Sequence, residues 1–136
     1  PDMIKSENIV CGAFTYGIKF KALEKVCEIK DSNDTEMMWH YFIDTGLFEI
    51  QELEGVNPKY FRDDIRMTLD YEEDLHFFNK VIKLSKNPKR FISMEEILKI
   101  CDSNSDVKNI NFFRQSEFLD NQAKNKKIKI KDEFVS

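Results

Sequence analysis

A chain of 136 residues with 41% hydrophobic side chains, twelve Phe and four Tyr is the size of one ordinary domain, able to bury about two thirds of its unfolded surface. Only four Gly and three Pro argue against wholesale disorder, and the absence of about 18 consecutive apolar residues, or of a charged-then-apolar leader, gives the expectation of a cytoplasmic protein with no membrane partner. The net charge of −4 hides an asymmetry: residues 31–74 hold 13 acids against 3 bases, residues 75–131 hold 6 acids against 13 bases.

Residue 1 is Pro and a structural signal comes within ten residues of it, so a missing beginning is expected. Ile9 to Phe14 reads as a short buried strand, Thr15-Tyr16-Gly17 as a turn, and Leu23, Val26 and Cys27 as one face of a helix. Asp34, after the polar break at 31–34, is a plausible N-cap for a short helix ending near Phe42, with Met38, Trp39 and Phe42 on one face. Phe48 to Leu53 looks extended and Gly55 to Pro58 is a turn. Ile65, Met67 and Leu69 alternate with Arg66 and Thr68, which predicts a strand with one polar face. Leu75, Phe78 and Ile82 then mark a helix that Asn87-Pro88 stops, with Lys83 and Lys86 near its carboxyl end.

Ser93-Met94-Glu95-Glu96 is a capping box, and Ile92 with Ile97 the matching hydrophobic staple of a helix running to Cys101. Beyond Asp102 the periodicity is too irregular to assign, and Lys126 to Lys131 alternates like an edge strand carrying protective lysines. Because the other basic residues are spaced through helices, nucleic acid is not an expected partner. Cys11, Cys27 and Cys101 form no C-x-x-C pair and are expected as buried reduced thiols, while His40 and His76 stand alone and suit helix surfaces better than a metal.

The chemistry is best sought in Arg66-Met67-Thr68-Leu69-Asp70-Tyr71-Glu72-Glu73-Asp74-Leu75, which sets a carboxylate where a strand ends and a helix begins. In α/β proteins that edge of the sheet is where ligands bind. Arg66, Thr68 and Asp70 would point to one side, a pattern suited to an anionic substrate accompanied by a metal ion. The acidic middle also suits a shared divalent cation. Asp70 followed by Glu73 equally describes an N-cap with its capping-box partner, and one carboxylate can do both. Arg66 is equally an ion-pair partner for Asp63 or Asp64.

The same run resembles the R-L-T-V-D-T-P-E-D-L segment near the carboxyl end of cytidylyltransferases that activate sugars for surface polysaccharides. Asp34-Thr35-Glu36 with Tyr41-Phe42 is similar to their D-R-E-H-x-x-x-Y region, and Tyr16-Gly17-Ile18-Lys19 to the segment leading into it. The likeness covers roughly residues 9–84. It implies an α/β nucleotidyltransferase domain, Rossmann-like with a mixed sheet and lacking its N-terminal nucleotide-binding half, with residues 1–86 its carboxyl-terminal part and 87–136 a helical extension. It implies transfer of CMP from CTP to a sugar acid with release of pyrophosphate, a homodimer, Mg²⁺ as cofactor, Asp70 as catalytic metal ligand, and Asp34, Glu36, Arg66 and Thr68 as substrate-binding residues. The chain departs from the pattern where Tyr71 and Glu72 replace Thr-Pro, Thr35 replaces Arg and Met37 replaces His. The family's basic, Gly-containing phosphate-binding segment and its earlier metal-binding Asp have no counterpart here, so the isolated chain is expected to be inactive. An interaction module built on Met38, Trp39 and Phe42, or another Mg²⁺-dependent phosphoryl-transfer enzyme, are the alternatives.

Overall fold

A computed structural model describes residues 1–86 and 91–134. The chain is mixed α/β, with one three-stranded sheet and six α-helices among the described residues. It forms two compact units, each assembled from segments distant in sequence: residues 1–7, 15–56 and 119–136 make one, residues 8–14 and 57–118 the other.

The first unit holds the sheet. Strand β1 (Met3–Lys5) lies between β2 (Gly17–Ile18), antiparallel with Met3 opposite Ile18, and β3 (Ile50–Glu52), parallel with Met3 opposite Ile50. Helix α1 (Phe20–Ile29) buries Ala22, Val26 and Ile29, a stripe at i, i+4 and i+7. The expected face is therefore turned by one position: Val26 is buried, but Leu23 and Cys27 are exposed. Gly17, expected in a turn, is instead a β2 residue. Helix α2 (Trp39–Ile43) sends Tyr41 and Phe42 into the core formed by Met3, Ala22 and Val26, with Met38 and Trp39 packed against it. Its N-cap is Met38, not Asp34; Asp34 Oδ1 accepts from the Glu36 N–H at 2.9 Å in a separate turn. The lysine-rich tail joins this unit, since Ile130 bridges to Lys30 and the Tyr41 hydroxyl donates to the Lys129 carbonyl at 3.1 Å. That partner satisfies a buried phenol.

The second unit is mostly helical. Helices α3 (Glu72–Leu84), α4 (Met94–Ser103) and α5 (Ser105–Asn109) surround Val10, Ile65, Phe77, Val81, Leu98, Cys101 and Val107. Helix α6 (Gln115–Asn125) starts in this unit. Ser93 caps α4 as its sequence announces, accepting from the Glu96 N–H at 3.2 Å, and Ile92 and Ile97 join the same core. The other half of the box is spent elsewhere. Glu96 Oε1 accepts from Ser85 Oγ at 2.9 Å and the Lys86 N–H at 3.0 Å, just past the end of α3. Asn87 and Pro88, expected to stop α3, lie outside the described residues.

Two sequence expectations are corrected in this unit. Ile9 to Phe14 is not a strand but two isolated bridges, Ile9 to Phe61 and Cys11 to Arg66, and Gly12 at φ +83° turns the chain directly after the second. Residues 65–69 are likewise extended without forming a strand, and their faces do not alternate. Ile65 and Arg66 are both buried, whereas Leu69 is 65% exposed. Helix α3 is rotated to match: Asp74, Phe77 and Val81 are buried, and Leu75 and Ile82, one position on, are exposed. One position is about 100° of turn. The charged partner of Asp74 accounts for it.

Candidate functional site around Asp70

That partner is Arg66. Its guanidinium is fully buried, and its donors are almost all assigned. Nε donates to Asp74 Oδ1 at 3.0 Å, Nη2 to Asp74 Oδ2 at 3.1 Å and to Asp70 Oδ2 at 2.8 Å, and Nη1 to Gln115 Oε1 at 3.2 Å. Its central carbon lies 4.4 Å from the Phe118 ring centroid and 5.3 Å from that of Tyr71. A guanidinium held in its own plane by the fork and bordered by rings cannot swing freely.

Asp74 is the hub. Besides the fork it accepts from the backbone N–H of Asp70 at 2.9 Å, from that of Tyr71 at 3.0 Å, and from Asn111 Nδ2 at 2.9 Å. Burial opposes its ionisation, yet hydrogen bonds from Arg66, from the two backbone amides and from Asn111 prevail and hold its pKa at about 2. The helix start is thereby displaced from the expected position. Tyr71, not Asp70, is the N-cap of α3, and the box acid is Asp74, not Glu73. Glu73 instead accepts from Arg114 Nη2 at 2.8 Å.

The backbone beneath Arg66 is fixed as well. The Met67 N–H donates to the Cys11 carbonyl at 2.8 Å, and Asn111 Nδ2 donates to the Arg66 carbonyl at 3.0 Å. Gly12 is required for this approach: a Cβ there would stand 2.4 Å from the Met67 carbonyl oxygen and 2.8 Å from Thr68 Cγ2. Thr68 Oγ1 is buried without a hydrogen-bond partner among the described residues, so it is closed to a ligand in this conformation.

Asp70 itself ends the extended segment with its side chain 45% exposed. Oδ2 takes the Arg66 donor, and Oδ1 accepts no hydrogen bond from the described residues. Mg²⁺ keeps several waters and takes one or two carboxylates plus phosphate oxygens, so a single outward carboxylate oxygen suits it. Among the described residues no three His, Cys, Asp or Glu side chains stand together as a ready-made metal cage.

Of the sequence-derived candidates, Arg66, Thr68 and Asp70 belong to one unit, and Asp34 and Glu36, both exposed, to the other. Arg66 pairs with neither Asp63 nor Asp64. Arg62 takes Asp64 at 2.7 Å and Asp102 at 2.7 Å, and the hydrogen bonds from Arg62 and Lys108 hold the Asp64 carboxyl well below its usual range. Of the three thiols only Cys101 is buried, its pKa pushed up to about 11 by burial. His40 lies beside Asp44 at 2.7 Å and His76 near Glu72 at 3.7 Å, both one helical turn apart. Nothing local in the sequence marks Asn111 and Gln115, because their partner Arg66 is 45 and 49 positions away.

Known family models, curated proteins and solved structures were all compared with the chain, and none matches.

Proposed function

We propose that this chain is the carboxyl-terminal part of a Mg²⁺-dependent cytidylyltransferase that transfers CMP from CTP to a sugar acid for surface-polysaccharide synthesis. The observation that carries the proposal is the carboxylate of Asp70, fixed through one oxygen by a buried guanidinium and open at the other. Its place in the run resembling the family's motif supplies the reaction. A sugar hydroxyl attacks the α-phosphorus of CTP and releases its proton to solvent, the new O–P bond forms as the bond to the oxygen bridging to the β-phosphate breaks, and pyrophosphate leaves. Asp70 would hold Mg²⁺, which would neutralise charge on the phosphates. Arg66 has its donors committed to Asp70, Asp74 and Gln115, so in this proposal it holds the metal ligand rather than the substrate. Asp34 and Glu36, exposed carboxylates, are assigned to sugar hydroxyls on the resemblance alone.

The test is Asp70→Asn in an enzyme that includes the family's phosphate-binding segment. Asn loses the charge that binds Mg²⁺, so turnover measured as pyrophosphate release should fall about 100-fold or more while the melting temperature stays near the parent's. Near-parent turnover at limiting Mg²⁺ overturns the assignment. The isolated 136-residue chain should release no pyrophosphate.

A second reading, a self-association surface, is favoured by the outer face of α3, where Leu75 and Ile82 stand exposed seven residues apart. Ultracentrifugation of the parent beside Ile82→Lys tests it: a parent dimer that the variant abolishes supports the surface, and a monomeric parent removes it.

A further inference from the structure

We propose that Asp74 is a positioning residue for Asp70, acting through Arg66, and that Asn111 belongs to the same device; the inference rests on Asp70 being a cation ligand. Asp74 does more than start a helix. A capping acid needs one or two backbone amides, whereas Asp74 accepts from the Asp70 and Tyr71 amides, twice from Arg66 and once from Asn111. The same carboxylate thereby sets the backbone from which the Asp70 side chain departs and the guanidinium that the side chain meets.

The division of Arg66 donors is what leaves Asp70 an open oxygen. Two bonds to Asp74 and one to Gln115 fix the plane of the fork, with Phe118 and Tyr71 near its faces, and only Nη2 reaches Asp70, at Oδ2 alone. Without the charge on Asp74, Asp70 becomes the one carboxylate paired with Arg66. A guanidinium and a carboxylate prefer the two-pronged arrangement, which would occupy both Asp70 oxygens and compete with a cation. Asn111 Nδ2 bridges Asp74 Oδ1 and the Arg66 carbonyl, so its loss loosens the fork without removing any charge.

The device can be tested on the 136-residue chain with Mn²⁺ as probe, following paramagnetic broadening of backbone amide signals. In the parent, broadening should centre on the Asp70 and Tyr71 amides, and Asp70→Asn should abolish it. Asp74→Asn and Asn111→Ala, both retaining Asp70, should weaken Mn²⁺ binding at that point at least fivefold, with amide signals elsewhere still those of a folded chain. If Asp74→Asn does not fold, Asn111→Ala decides. Parent-like broadening at Asp70 in the folded variants overturns the positioning role and leaves Asp70 as a cation ligand. A parent that shows no broadening there, with Asp70→Asn indistinguishable from it, overturns the cation ligand and the positioning role together.

Discussion

The unit built on the sheet buries apolar side chains, Met3, Ala22, Val26, Ile29 and Phe42 with the satisfied phenol of Tyr41, while the unit around α3 and α4 adds Arg66, Asp74 and Asn111 to an apolar core of its own. Among the described residues every fully buried charge belongs to the second unit. An apolar core tolerates many side-chain combinations of suitable volume, whereas a buried ion pair depends on every partner being present, since removing one leaves an uncompensated charge. The first unit should therefore answer mainly to packing. The second should answer to packing, to pH and to single hydrogen bonds, and it carries Asp70.

Asp74→Ala presses hardest on this difference, because it takes two hydrogen bonds from the buried Arg66 guanidinium and leaves it the half-exposed Asp70 as its one carboxylate partner. A loss of about 3–5 kcal/mol is expected by urea denaturation, with the amides of Phe77 and Val81 losing protection first. Phe42→Ala should cost a similar amount, about 3–5 kcal/mol, by leaving a cavity, but its effect should be independent of pH. Equal pH dependence of the two variants would erase the comparison.

Gly12→Ala and Gly55→Ala sharpen it at the level of the backbone. Both glycines have positive φ, +83° and +73°, which costs an L-residue about 1–2 kcal/mol. Only at Gly12 would the added Cβ also stand 2.4 Å from a backbone oxygen, whereas at Gly55 it would meet nothing within 4 Å, so the Gly12 variant should be the less stable by more than about 1 kcal/mol in thermal melts.

Acid should separate the units next. The pKa of Asp74 is lowered from 3.8 to about 2, so its stabilising contribution is whole above pH 4 and is lost as pH falls from there toward 2. On the order of 2 kcal/mol is at stake. The Val81 amide should become labile in that range ahead of Val26, as followed by NMR. Lys126→Ala, which removes an exposed pair with Asp44 at 3.0 Å in the first unit, should change the melting free energy by only about 0–1 kcal/mol.

What could be read ahead of the fold was whatever depends on neighbours in the chain. The mixed α/β class, the extended residues near Ile50, and the helices beginning near Phe20, Glu72 and Met94 follow from local periodicity and capping, and the Ser93 cap stands where its box announces it. Asp70 was legible as a carboxylate between an extended segment and a helix for the same reason. Which face each helix buries was not: hydrophobicity alone ranks Leu23 and Leu75 as the inner residues, yet Ala22 and Asp74 are the ones buried. Tertiary structure overrode that ranking at Asp74 by supplying Arg66, eight residues away, and Asn111, thirty-seven away, and a charge met by that many donors can be buried in place of leucine. The sequence by itself thus determined the kinds of elements and the place of the Asp70 carboxylate along the chain. Only the tertiary structure decided that Arg66 turns inward to hold that carboxylate, since satisfying a buried guanidinium takes acceptors from Asp70, Asp74 and Gln115 that no local pattern connects.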